Sequence, residues 1–92
     1  MSNRVPGSYS ALNAPDAKAD KLLLDAFDKI SNVAELKDIT LEHLLNNYVY
    51  SQQVVAGMNY KFTVKYNNQR YEFVIYQKLD GTTSFRFNGL AK

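Results

Sequence analysis

Hydrophobic residues change their spacing from helical to strand-like about halfway along the chain. From Asp16 to Ile30 the apolar positions Ala19, Leu22, Leu23, Ala26, Phe27 and Ile30 fall on one stripe with the period of an α-helix. Pro15 suits a first helical turn, where its missing N–H costs nothing, and Asp16 follows where the helix dipole favours negative charge. Asp25 and Lys29 would make an i,i+4 ion pair on the exposed side. The spacing predicts a helix over 15–31, preceded by an extended arm over 1–14. Ser31 to Thr40 reads as a connection. Leu41 to Gln53 carries two signals: Leu41, Leu44, Leu45 and Tyr48 would form a helical stripe, while Tyr48, Val49 and Tyr50 favour strand.

Beyond that point the pattern has a period of two. Met58, Tyr60, Phe62, Val64 and Tyr66 alternate with polar neighbours, as in a half-buried strand. Asn67-Asn68 supplies a turn. Tyr71 to Leu79 follows as a strand with Tyr71, Phe73, Ile75 and Leu79 on one face. Asp80-Gly81 is a hairpin signal, and Thr83, Phe85 and Phe87 make a last short strand. The expectation is an α+β fold, a long helix packed on one face of an antiparallel meander spanning 40–88.

Ninety-two residues suit one domain, and twelve aromatics with 46% hydrophobic residues suit a globular one. With no cysteine there is no disulfide, thiolate site or cysteine nucleophile. The chain opens without an apolar leader and has no span-length apolar run, so a cytoplasmic protein with no membrane partner is expected. A net charge of +2 gives little reason to expect a nucleic-acid partner; Lys61, Lys65 and Arg70 read as a solvated outer face. His43 is the only histidine, and no Ser-His-Asp set, paired carboxylates, phosphate loop or metal cluster can be assembled, so neither catalysis nor a cofactor is expected. Binding is the expected activity.

An apolar hairpin tip would mark the contact surface. Gln53-Val54-Val55-Ala56-Gly57 lies between two strands, where polar turn residues are usual. Either it is an exposed contact tip, or Val54 and Val55 are ordinary strand residues. Gly57 permits the positive φ of a tight loop. In an up-and-down meander this tip and Asp80-Gly81 fall at the same end of the sheet, and the arm bearing Val5-Pro6-Gly7 can lie beside them.

The same residues resemble the cystatins, and the stefin type in particular. Gln53 to Gly57 is similar to the Gln-x-Val-x-Gly motif, continued by Met58-Asn59-Tyr60. Val5-Pro6-Gly7 resembles the stefin Pro-Gly, and Tyr76-Gln77-Lys78-Leu79-Asp80-Gly81 occurs at the place of the second hairpin. The resemblance spans nearly the whole chain. It implies a long helix on a curved antiparallel sheet of four to five strands, with Leu41 to Gln53 a long strand wrapped around the helix. It also implies reversible inhibition of papain-like cysteine proteases, cathepsins and papain, by a three-part wedge. Gly7 with Val5 and Pro6, then Gln53, Val54, Val55, Ala56 and Gly57, then Leu79, Asp80 and Gly81 would touch the protease. A bulky residue at Gly57, or loss of residues 1–7, would weaken inhibition without unfolding. Asp80 stands where stefins commonly have proline. A monomer is expected, with a swapped dimer opened at the first hairpin as the other state. The alternative function is a non-inhibitory interaction module on the same fold.

Overall fold

The computed structural model describes residues 8–91. Its elements run α1 (Ala17–Asp25), α2 (Phe27–Ser31), a 3-10 turn (Ala34–Leu36), α3 (Leu41–Asn46), β1 (Tyr48–Val55), β2 (Gly57–Tyr66), β3 (Gln69–Gln77) and β4 (Thr83–Leu90). The four strands form one antiparallel sheet in sequence order. Residues alternate across it as a pleated sheet requires: Tyr48, Tyr50, Tyr60, Phe62, Val64, Phe73 and Ile75 are buried on the helix-facing side. Phe62 stacks on Phe73 with ring centroids 5.4 Å apart, at the centre of that layer. Ala19, Leu22, Leu23, Ala26 and Ile30 close the core from above.

The expected single helix is two short ones. Ala26 (φ −105°, ψ 5°) interrupts it, its N–H shared between the carbonyls of Leu22 and Leu24. The apolar stripe runs through the break intact, because burial depends on where side chains point rather than on an unbroken hydrogen-bond ladder. The expected Asp25–Lys29 pair is replaced by one within α1, where Asp25 lies 3.4 Å from Lys21. Pro15 precedes the helix, and Asp16 is its N-cap, accepting the Ala19 N–H at 2.8 Å.

Leu41 to Gln53 corrects the resemblance. Leu41–Asn46 is helical, capped by the Thr40 hydroxyl on the His43 N–H at 3.0 Å, and strand begins only at Tyr48. Both signals in that stretch were real, each for its own half. Leu79 is also misplaced by its pattern: β3 ends at Gln77, and Leu79 lies in the turn, 86% exposed. Asn67 and Asn68 form the β2–β3 turn with φ of 52° and 63°, the paired positive values that a two-residue hairpin needs. β4 is longer than expected, with a bulge opposite Glu72/Phe73.

Asp16 fastens the helix to the sheet. Its second oxygen accepts the Tyr50 hydroxyl at 2.5 Å, and Asp20 accepts that of Tyr48 at 2.7 Å. The Tyr50 hydroxyl, followed by the Ala19 amide, holds the Asp16 carboxyl below its ordinary range. Burial, then the Asp16 carboxylate, pushes the Tyr50 phenol up to about 12. Because the folded-state pKa of Asp16 is depressed, its contribution is complete above the ordinary carboxylate pKa near 4 and is lost as pH falls through the lowered value. Asp16→Ala should cost about 1 kcal/mol at neutral pH, a fall of about 4–8 °C in Tm. The difference from the wild-type Tm should shrink as a melting series is carried down through pH 4 to pH 2. A difference that stays constant to pH 2 would mean the carboxylate is not the stabilising group.

Candidate functional site

The β1–β2 hairpin turns within a single residue, Ala56, since Val55 pairs with Gly57 and Val54 with Met58. Gly57 makes this possible in two ways. Its φ is +112°, and an added Cβ would run into the backbone carbonyl oxygen of Gln77 and stand 3.2 Å from the Tyr76 ring. Gly57 is buried and packs against β3. Tyr76 also donates its hydroxyl to the Ala56 carbonyl, tying the tip to the neighbouring strand. One pair back, Asn59 donates its amide to Gln53 Oε1 at 2.7 Å. Asn59 and Tyr76 occur in the stretches that carry the resemblance, but no sequence signal assigned either a role at the tip; the cross-strand register brings them there.

The tip itself is apolar and open. Val54 is 67% and Val55 41% exposed, although β propensity would place two valines inside. The structure takes part of each reading from sequence: Val54 and Val55 are the last paired residues of β1, and they are exposed beside the turn.

The β3–β4 turn is built on hydrogen bonds rather than on ring stiffness. The Gly81 N–H reaches the Lys78 carbonyl at 2.9 Å, and the Lys78 N–H reaches the Thr82 carbonyl at 2.8 Å. Asp80 Oδ1 accepts both the Thr82 amide (2.9 Å) and the Thr82 hydroxyl (2.7 Å). Those two donors, the amide first, hold the Asp80 carboxyl below its ordinary value. Asp80 thus fixes the turn from inside through a side-chain turn, the role a proline would fill by restricting φ. Gly81 (φ +91°) has open space where a Cβ would be.

The two tips lie together. Val54, Val55, Gly57 and Met58 from the first, with Gln77, Lys78, Leu79 and Gly81 from the second, line one groove at the end of the sheet away from Asn67-Asn68. This follows from the meander: each tip is one strand-length from the same β2–β3 turn. Lys18, Lys21 and Asp25 of α1 border the second tip on its helix side, with Gly81 and Thr82.

Val5, Pro6 and Gly7 lie outside the described residues. The arm that follows them runs antiparallel to β1, with the Ser10 N–H on the Gln52 carbonyl (2.8 Å) and Asn13 paired with Tyr50. Its described end at Ser8 is therefore the end nearer the first tip. His43 is elsewhere: its Nε2 lies 2.8 Å from the Lys65 carbonyl oxygen and its ring meets Tyr66 edge-on at 5.3 Å, beside the distal turn. Among the described residues no three His, Asp or Glu side chains gather as a metal site would require, and no helix is long and apolar enough to cross a membrane.

No protein-family model matches the chain, and neither the curated proteins nor the solved structures contain a match to it.

Proposed function

We propose that this chain is a cystatin-like, stefin-type inhibitor of papain-like cysteine proteases, and that it blocks the active-site cleft without catalysing anything itself. The observation that carries the reading is the shared groove: two hairpin tips, one bearing the Gln53–Gly57 motif and the other Leu79-Asp80-Gly81, present exposed Val54, Val55 and Leu79 at one end of a rigid sheet. Such apolar side chains gain by desolvation in a cleft, and the hydrogen bonds already made within both turns reduce the ordering cost of binding. An interface of about 800 Å² per partner suffices for a specific complex. The arm residues Val5, Pro6 and Gly7 complete the wedge in this proposal, with Gly7 allowing the backbone to pass close to the catalytic cysteine and turn away. The cysteine-free composition suits a cytoplasmic setting.

Titration of papain, or of a cathepsin L-like enzyme, should give loss of activity at stoichiometric inhibitor, reversible on dilution. Full protease activity in the presence of excess folded protein would remove this reading and leave a non-inhibitory binding module, whose partner would then be sought at the same two tips.

A further inference from the structure

The outward face of the sheet, opposite the helices, has an unexpected occupant. Ser51, Lys61, Val74 and Arg86 form one cross-strand row on that face, each the register partner of the next. Ser51 and Val74 are only 3% and 6% exposed although they point away from the core. Tyr9 meets this row at Lys61. Its ring centroid lies 4.2 Å from Lys61 Nζ, inside the range for a cation–π contact. Arg86 and Glu72 are both within electrostatic reach of its phenol, and burial pushes that phenol's pKa up. Tyr9 is thus partly buried on a polar sheet face. Ser10 and Asn13 behind it are hydrogen-bonded to the edge of β1, with the Gln52 N–H on Ser10 Oγ at 3.0 Å and the Tyr50 N–H on the Asn13 carbonyl at 3.1 Å.

We propose that Tyr9 is a clasp that fixes where the amino-terminal arm leaves the sheet, and so positions the residues before it for the end of the molecule that carries the two tips. Its value for inhibition rests on the function proposed above; the clasp itself does not. The described part of the arm already heads that way: it runs antiparallel to β1, so its end at Ser8 is the one nearer the first tip. An arm released at Tyr9 would start instead from Ser10 and would sample many directions, and each would lower the fraction of molecules ready to bind. Tyr9 touches no protease in this account. It is a positioning residue.

Two readouts on the full chain test this. Amide exchange followed by NMR reads the clasp without any protease. In Tyr9→Ala the Ser10 and Gln52 amides should exchange about tenfold faster, whereas Tyr9→Phe, which keeps the ring over Lys61, should match the wild type. Lys61→Ala attacks the same contact from the sheet side and should also speed exchange. Papain inhibition reads the consequence. Tyr9→Ala should weaken it about tenfold, and that effect should vanish in a background carrying Val5→Asp and Gly7→Glu, where the arm no longer contributes. Unchanged exchange in both Tyr9→Ala and Lys61→Ala overturns the clasp. An equal loss of inhibition in the Val5→Asp, Gly7→Glu background overturns the positioning role, since a general weakening of the fold would act regardless of the arm. Faster exchange in a protein whose wild type leaves papain active supports the clasp and removes the inhibitor reading, which separates the two failures.

Discussion

Replacing Gly57 by valine should lower the stability of the whole domain by about 3 kcal/mol, because positive-φ strain and overpacking each cost about 1–3 kcal/mol. The φ of +112° disfavours any L side chain, and the first new carbon meets a backbone oxygen on β3 that cannot swing aside. A chain of this size has a total stability of about 5–14 kcal/mol, and its Tm moves about 4–8 °C per kcal/mol. A fall of at least 10 °C should therefore appear in a thermal melt followed by circular dichroism. The expectation from sequence was that a bulky residue here would weaken binding and leave folding untouched; the buried position of Gly57 argues for a loss of stability as well. Gly81 is the matched control. It also has positive φ, but nothing lies within 4 Å of its missing Cβ, so Gly81→Ala should bring only about 1 kcal/mol of backbone strain. Equal melting temperatures for Gly57→Val and wild type would show that the two hairpins are not packed against each other as described.

Val54→Asp combined with Leu79→Asp should have the opposite profile. Both side chains are mostly in water, at 67% and 86% exposure, and exposed substitutions usually change stability by no more than about 0.5 kcal/mol. In a protease complex each would bury a carboxylate in a desolvated cleft. Contacts of the hot-spot kind are worth about 2 kcal/mol or more apiece, so the pair should raise the inhibition constant for papain about a thousandfold. The measurement is inhibition beside a melt of the same sample. Undiminished inhibition by a folded double variant would mean that the tips do not enter the cleft, whatever else the protein does.

The difference between these two predictions shows which features the sequence alone could give. Period-two alternation located β2 and its buried face to within a residue, since Tyr60, Phe62 and Val64 can satisfy a half-buried strand in only one register. The stripe from Ala19 to Ile30 identified the buried residues of α1 and α2 but could not report the break at Ala26, because no glycine or proline marks it. Leu41 to Asn46 carried a helical leucine spacing that competed with the strand preference of Tyr48 to Tyr50, and the resemblance then implied continuous strand. Leu79 kept the parity of β3 while lying outside it; apolar parity persists past a strand end whenever an exposed apolar residue serves something other than the core. At the site, Val54, Val55 and the two tips could be read from sequence because they are contiguous. Tyr9, Tyr76, Asn59 and Thr82 could not, since their roles are set by cross-strand neighbours and by a turn geometry that no short motif encodes.

The turn at Asn67-Asn68 lies at the far end from both tips and touches neither, yet it governs their relative height. β2 and β3 each carry one tip, and the only covalent link between these strands is that two-residue loop, which sets Met58 opposite Gln77 at the ninth rung from the turn. Lengthening it would slide one strand past the other by about 3.3 Å per rung and turn every side chain of the displaced strand to the wrong face. The loop is in effect the molecule's gauge block: two asparagines in left-handed conformations, remote from any contact surface, set the levelness of the opposite end.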